Sequence, residues 1–286
     1  MKIRLLILLP MAALAVLFCA PAISSGQTIL LSAANFAVLG GTAVTNSGAT
    51  IIDGNVGSSS AVTGFYPAGS IVVDNVPALP IVGGTTGQAE LDLITAANGL
   101  AGMASNQFIS TGALGGLTID PGVYTFGTAS VSLDGALVLD AGGQNNVNWV
   151  FQIAASMVTS SGSSVSIINP GSNGGGDDGI YWVAETGAFT IGGGSTILGN
   201  YLAYTSISFD GADSGDGRAL AQAGVSFATA SDINSTGGPN GSDYTGDLVY
   251  NPSGQVVPLP EPAAVLWLTP LAAMAFVIWR RKSANK

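Results

Sequence analysis

A short phrase of apolar, hydroxyl and apolar residues returns at a fixed interval in the second half of the chain. It reads FTI at 189–191, ISF at 207–209 and VSF at 225–227, each eighteen residues after the last. Successive strand residues point to opposite faces, so each phrase directs two apolar side chains inward and one hydroxyl outward. The interval predicts an all-β solenoid, in which each coil buries its apolar side chains against its neighbours. Two earlier phrases, VSL at 131–133 and MVT at 157–159, join the series with looser spacing.

The distribution of charge excludes several classes of function. Residues 5–279 contain one cation, Arg218, and all 17 carboxylates, which gives this stretch a formal charge of −16. Nucleic-acid binding needs cations that displace the counterions of phosphate, so we expect no nucleic-acid partner. The absence of His removes the usual general base and the commonest transition-metal ligand. We therefore predict that the protein is not an enzyme and has neither a cofactor nor a metal site.

The N-terminus reads as an export signal. Residues 1–22 have a basic start, a long apolar run, and Ala20 and Ala22 at the −3 and −1 positions of a cleavage site, which predicts a secretory signal peptide. A retained N-terminal anchor is the alternative. The only cysteine, Cys19, lies in this segment, so the exported domain is expected to have no disulfide.

The C-terminus carries a second targeting signal. Residues 263–279 are uncharged and mainly apolar and precede the basic cluster at 280–282, which predicts a membrane-spanning segment. Together with Pro260, Glu261 and Pro262, this segment resembles the PEP-CTERM sorting tail of Gram-negative bacteria. The resemblance implies an exosortase-type sorting machinery as a partner and removal of the tail during export. A permanent membrane anchor is the alternative, and both place the domain outside the cytoplasm, at the cell surface or secreted.

These signals divide the chain into four parts. We predict a signal peptide at 1–22, a folded domain at 27–250, a linker with the Pro-Glu-Pro motif at 251–262 and a transmembrane or sorting tail at 263–286.

A second series of strands precedes the phrases, and it is apolar or small on both faces. Its members are VFQI at 150–153, YWVA at 181–184, YLAY at 201–204 and ALAQ at 219–222. Strands of this kind are buried on both sides, so another element must cover this side of the solenoid.

The segment 88–108 is the longest helix-like stretch of the exported part and is predicted to provide that cover. It has one apolar stripe with helical spacing, formed by Leu91, Ile94, Ala97, Ala101, Ala104 and Phe108. Gly99 and Gly102 weaken an isolated helix but would allow it to approach the coils closely.

Three longer stretches resemble the ice-binding-like family: LLSAANFAVLGGTAVTNSGATIIDGNVG at 30–57, LGGLTIDPGVYTF at 114–126 and GSTILGNYLAYTSISFDGADSGDGRALAQAGVSF at 194–227. The resemblance covers about residues 28–235. It implies a right-handed parallel β-helix of triangular section with one long α-helix packed alongside. It also implies that N-terminal strands stack next to C-terminal ones, out of sequence order.

The resemblance implies a protein that binds ice or an ordered layer of water. Stacked strands lie about 4.7–4.9 Å apart, so one hydroxyl per coil would form a regular row with a spacing close to that of oxygens in ice. The candidate ice-binding residues are Thr190, Ser208, Ser226 and Ser132 from the phrases, with Thr42 and Thr45 added from the family-like motif TAVT.

Other readings of the same residues stay open. Exposed strand positions favour Ser and Thr in any case, and a surface or matrix β-helix with an adhesive or structural role fits the sorting tail equally well. A polysaccharide-cleaving β-helix would need clustered acids or a poised basic residue. Arg218 is predicted to be structural, with its guanidinium bound to carboxylates or loop carbonyls between coils. The acidic turns at 177–178 and 210–216 lack the ligand spacing of a calcium loop and are interpreted as solvated turns.

Overall fold

Parallel strands wind through successive coils and form a β-solenoid. The computed structural model describes residues 28–65, 70–73, 76–235 and 243–259. Its strands form one 16-stranded sheet, one 7-stranded sheet and a two-stranded hairpin. The predicted signal peptide, the motif at 260–262 and the tail at 263–286 lie outside the described residues. Among the described residues, no helix is long and apolar enough to cross a membrane.

The strands stack in three files, and a full coil contributes one segment to each file. The first file is the 7-stranded sheet, here named the hydroxyl face. Its strands, in spatial order, are Val131–Leu133, Met157–Thr159, Phe189–Ile191, Ser206–Phe209, Gly224–Phe227, Ala43–Asn46 and Ala61–Thr63.

The 16-stranded sheet contains the other two files. The helix-covered face consists of Gln107–Ile109, Gly122–Phe126, Asn148–Ile153, Gly179–Ala184, the second halves of Thr196–Ala203 and Ser214–Ala221, then Phe36–Gly40, Asn55–Ser58 and Ile81–Val82. The third face consists of Thr118–Ile119, Ala136–Asp140, Ser164–Ile168, the first halves of Thr196–Ala203 and Ser214–Ala221, then Asp232–Asn234, Ile51–Asp53 and Ile71–Val73, with Val76–Pro77 antiparallel at its end.

The N-terminal strands continue the stack after the C-terminal ones. Phe36–Gly40 pairs with Ser214–Ala221, and Ala43–Asn46 pairs with Gly224–Phe227. Both pairings are parallel and join residues about 180 positions apart in sequence. The out-of-order stacking implied by the family resemblance is therefore present.

The interior is filled by side chains that stack from coil to coil. Tyr124, Phe151, Trp182 and Tyr201 form one column, with ring centroids 5.5, 3.9 and 5.5 Å apart along it. Phe209 stacks on Phe227 at 4.8 Å behind the hydroxyl face. Close stacking of large rings makes this core dense, which favours a rigid solenoid.

The two longest strands change face at glycines. Gly199 and Gly217 have φ angles of 101° and 132°, which L side chains rarely adopt. A Cβ on Gly217 would lie 2.0 Å from the carbonyl oxygen of Gly199 in the next coil. Only glycine fits this corner, so one continuous strand serves both the third and the helix-covered face.

An α-helix covers the doubly apolar strands, as predicted, but its bounds differ from 88–108. It spans Thr86–Ala101, and Gln107–Ile109 is a strand instead. The Gln152 side-chain amide donates to the carbonyls of Leu100, Ala101 and Met103 at 2.8, 3.2 and 2.9 Å. These bonds satisfy carbonyls at the end of the helix, so the chain leaves the helical path before Phe108.

The predicted buried stripe of the helix is correct only at Ala97 and Ala101, which pack against the interface as partly buried residues. Leu91 and Ile94 are exposed, whereas the residues at the interface are Ala89, Leu93, Ala96 and Leu100. They contact Val150, Tyr181, Val183, Leu202 and Leu220 on the helix-covered face, together with Ile29 and Leu30. The helix carries a second stripe of similar spacing, and that stripe packs closest to the strands.

A C-terminal hairpin packs beside the helix. Leu248–Tyr250 pairs with Val256–Pro258, and Leu248 and Val256 are buried in the helix interface. A Cβ on Gly99 would lie 2.7 Å from the Val256 side chain, so Gly99 makes room for the hairpin rather than for the coils. The predicted linker at 251–262 is therefore folded at least through Val256–Pro258.

Candidate functional site

The hydroxyl face brings most of the candidate residues into one row. In the pairing register, Ser132 lies opposite Val158, Val158 opposite Thr190, Thr190 opposite Ser208, and Ser208 opposite Ser226. Ser226 in turn lies opposite Thr45. Five of the six predicted residues therefore share one outward position on consecutive coils, and Val158 interrupts the row as expected.

The seventh member of this row, Thr63, was not among the predicted residues. It lies opposite Thr45 and is exposed. The sequence contained the signal, since AVT at 43–45 recurs as AVT at 61–63 after eighteen residues. We name the complete series the hydroxyl row: Ser132, Val158, Thr190, Ser208, Ser226, Thr45 and Thr63.

Thr42 does not belong to the row. It is exposed but precedes the strand Ala43–Asn46, and its hydroxyl donates to the Ala223 carbonyl at 2.9 Å. That bond ties it to the corner of the neighbouring coil. The TAVT motif places its two threonines on different parts of the surface because Thr42 lies in the corner before the strand and Thr45 lies within it.

On one side the row is bordered by small residues, and its backing is rigid. Two residues before the row, the positions in register are Ser206, Gly224, Ala43 and Ala61. No side chain longer than a serine stands beside the row there. The inward neighbours are buried apolar residues such as Ile207, so the row rests on the packed core. Six intervals of about 4.8 Å give the row a length of about 29 Å.

Comparison with known proteins identifies the family of this fold. The model of the ice-binding-like family matches residues 38–232. The chain belongs to the ice-binding-like family. An ice-binding protein of Nostoc sp. (strain HG1) is 38% identical, over 74% of this chain and 78% of the relative. Another, of Flavobacterium frigoris (strain PS1), is 31% identical, over 71% of this chain and 76% of the relative.

Solved structures of ice-binding proteins have the same fold. The ice-binding protein of the Antarctic ascomycete Antarctomyces psychrotrophicus superposes with a TM-score of 0.64 at 29% identity, over 73% of this chain and 98% of that protein. An ice-binding protein from an Antarctic biological consortium superposes with a TM-score of 0.63 at 32% identity, over 73% of this chain and 91% of that protein.

Arg218 is a buried structural link in this ice-binding-like domain. Its guanidinium donates to the Ala34 carbonyl at 3.1 Å, to Asn200 Oδ1 at 3.1 Å, and to the Asp243 carbonyl and carboxylate at 3.0 and 3.2 Å. The side chain is 6% exposed. It connects the N-terminal 3₁₀ helix Leu31–Asn35, a neighbouring coil and the C-terminal segment, and lies away from the hydroxyl row.

The acidic turns are less solvated than predicted. Asp213 is buried and accepts hydrogen bonds from the backbone N–H groups of Ser195 and Gly211, both at 3.0 Å, so it joins adjacent coils. Asp178 is also buried, and one of its oxygens accepts from Val147 N–H at 3.2 Å. Within the described ranges, no group of three or more acidic, His or Cys side chains is arranged to hold a metal ion.

Asp178 is expected to make stability depend on pH. Burial raises the pKa of this carboxyl to about 6 in the folded protein, from 3.8. Between these two values the folded state holds a proton that the unfolded state has released, so the free energy of unfolding rises as pH falls from 7 to 4. Asp178→Asn should weaken this rise in melts recorded across that range. Asp134→Asn, at an exposed turn, serves as the control and should keep the wild-type slope; an unchanged slope in Asp178→Asn would contradict the assignment.

Proposed function

We propose that this protein is an exported ice-binding protein that adsorbs to ice through the hydroxyl row and acts without catalysis. The observation that carries the proposal is the register of the hydroxyl face, in which seven consecutive coils present six hydroxyls and one valine from one straight row. Membership of the ice-binding-like family and its relatives named as ice-binding proteins support the same function.

Adsorption follows from spacing and rigidity. A repeat of about 4.8 Å along the row is close to oxygen spacings in ice, so hydroxyls in register can hold water in an ice-like layer. Methyl groups of the threonines and the small neighbours of the row limit competing hydration. Because the core fixes each position in advance, many weak contacts add up without the entropic cost of ordering a flexible surface.

We further infer a triangular section, right-handed coiling and an export route. Three strand files per coil support a triangular section, and the family implies right-handed coiling. The targeting signals at both ends support export, with sorting by an exosortase-type machinery and membrane attachment through 263–279 until the tail is removed. This route is tested by fractionation of cells that produce the full chain, compared with cells that produce its Glu261→Ala variant.

The primary test is the activity of residues 27–259, which include the C-terminal hairpin. We expect this fragment to shape ice crystals, to produce thermal hysteresis and to inhibit recrystallisation. If the folded fragment leaves ice growth unchanged in all three assays, the ice-binding proposal is wrong, and an adhesive surface role becomes the better account of the same fold.

Val158→Thr is expected to increase thermal hysteresis. Val158 is 51% exposed in the row, and threonine has nearly its shape, so the substitution supplies the missing hydroxyl and keeps a methyl group. The effect on stability should stay within about 0.5 kcal/mol, as for most surface changes. Val158→Ala provides the matched control, since it leaves the row interrupted. Equal hysteresis in wild type and Val158→Thr would show that position 158 lies outside the ice contact.

A further inference from the structure

A cavity of about 340 Å³ lies on the third face rather than on the hydroxyl face. It is enclosed by the strand Ser164–Ile168, by the loop that follows this strand and by the C-terminal segment at Tyr244. Ile167, Pro170 and Leu198 contribute to walls that are mainly apolar. The volume falls within the range of about 300–1,000 Å³ that small-molecule sites occupy.

A buried carboxylate oxygen without a partner lies beside this cavity. Asp178 is 0% exposed, and its Oδ1 atom accepts a hydrogen bond from Val147 N–H at 3.2 Å. Its Oδ2 atom has no hydrogen-bond partner among the described residues. A Cβ on Gly175 would lie 3.2 Å from this Oδ2 atom and 3.5 Å from Pro170 Cβ, and both Gly175 and Pro170 line the cavity. Because Gly175 has no side chain, the space between Pro170 and the carboxylate stays open.

The chain supplies no cation to this carboxylate. Arg218 is the only cation in residues 5–279, and its guanidinium is bound in the structural link described above. A second, half-buried carboxylate, Asp216, lies opposite Leu198 on the next coil. Burial raises the pKa of Tyr244 to about 12, and the negative charges of Asp216 and Asp178 add to the rise. The cavity is therefore surrounded by negative charge that a bound cation would neutralise.

An alkylammonium ion matches both the charge and the walls of this cavity. Its N–H groups can donate a charge-assisted hydrogen bond to Asp178 Oδ2, which satisfies the unpartnered acceptor. Its alkyl chain can remove the apolar walls from water. A calcium ion fits less well because it takes about six to eight oxygen ligands. In the part of the chain that the structure describes, acidic, His and Cys side chains form no group of three or more that could hold a metal ion.

We propose that this cavity binds a small alkylammonium cation, with Asp178 Oδ2 as the acceptor for its N–H groups. The ligand supplies the positive charge that the chain itself lacks at this carboxylate. Because the cavity and the hydroxyl row lie on different faces, the inference goes beyond the proposed function and does not depend on it. Binding stabilises the folded domain, since only the folded chain forms the cavity.

The test is calorimetric titration of n-butylammonium chloride into residues 27–259, a fragment that contains every described residue. The titration is run at about pH 8, where Asp178 is ionised, with sodium chloride holding the ionic strength constant. n-Butanol has the same chain length without the charge and is the matched ligand control.

Three variants locate the binding. Asp178→Asn keeps the shape of the side chain and removes its charge, and Asp134→Asn makes the same change at an exposed turn. Ser166→Trp fills the cavity from an exposed position in its wall and leaves the carboxylate intact. Thermal melts establish that each variant folds, and Ser166→Trp carries the test if Asp178→Asn does not fold.

We expect wild type and Asp134→Asn to bind n-butylammonium with equal affinity. Asp178→Asn and Ser166→Trp should each weaken binding at least about tenfold, and wild type should bind n-butanol at least about tenfold more weakly than n-butylammonium. If wild type does not bind n-butylammonium, or if either cavity variant binds it as wild type does, the inference is wrong. Equal affinity for n-butanol, or tighter binding of calcium chloride at the same carboxylate, would also overturn it. None of these results bears on the ice assays, so the proposed function stands or falls separately.

Discussion

Ser208→Tyr is expected to abolish most of the ice adsorption that we propose for the hydroxyl row. Ser208 is the fourth of seven positions, with three coils of the row on each side, and its neighbours in register are Thr190 and Ser226. A phenol ring at this position would hold the whole hydroxyl row away from the ice lattice. We expect thermal hysteresis to fall by most of its wild-type value at equal protein concentration.

The decisive comparison is between Ser208→Tyr and Thr95→Tyr. Both add an aromatic ring at the surface, but Thr95 lies on the helix, where its hydroxyl donates to the Leu91 carbonyl at 2.9 Å. Thr95→Tyr should keep wild-type hysteresis, and both variants should melt close to wild type. Equal hysteresis in wild type and Ser208→Tyr would show that the ice contact lies on another part of the molecule.

Arg218→Met is expected to cause the largest loss of stability. It removes four hydrogen bonds and leaves the Ala34 carbonyl and Asn200 Oδ1 without this donor in a buried site. Breaking a buried pair costs about 3–5 kcal/mol, but Asp243 is 39% exposed and regains hydration. We therefore expect a loss of about 2–4 kcal/mol and a fall in Tm of roughly 5–12 °C.

Two variants separate charge from hydrogen bonding at this link. Asp243→Asn retains an acceptor for the Arg218 guanidinium and for Thr245, whose N–H and hydroxyl both donate to the Asp243 side chain, so its loss should be smaller. Ice adsorption, assayed near 0 °C, should persist in Arg218→Met because the residue is remote from the hydroxyl row. A Tm equal to wild type in Arg218→Met would refute the structural assignment.

The sequence predicted the row but not the order of its members. Alternation and the eighteen-residue interval were sufficient to identify Thr190, Ser208 and Ser226 as equivalent positions, since both are local properties of strands. The neighbour of Ser226 is Thr45, and that pairing depends on which coils meet after the chain has folded. The family resemblance implied only that N-terminal strands stack next to C-terminal ones, and no local pattern shows which strands pair.

The helix, too, could be predicted from the sequence only in part. Periodicity identified a helix and the strands that it covers, but it allowed two apolar stripes, one through Leu91 and Ile94 and one through Leu93 and Leu100. The choice depends on the partners in the folded domain, since Leu93 and Leu100 share one core cluster with strand residues such as Leu202. Its end depends on Gln152, which is about fifty residues away in sequence. Neither the strands under the helix nor Gln152 can be identified from the sequence of the helical segment alone.

The pairing of Ala43–Asn46 with Gly224–Phe227 imposes an order of events on biogenesis. Val44 is synthesised long before Val225, its partner in register. One strand edge of the early coils therefore stays unpaired until the last coil has been synthesised. Loop closure over such a distance slows folding, so the hydroxyl face is completed only after the whole domain has been synthesised.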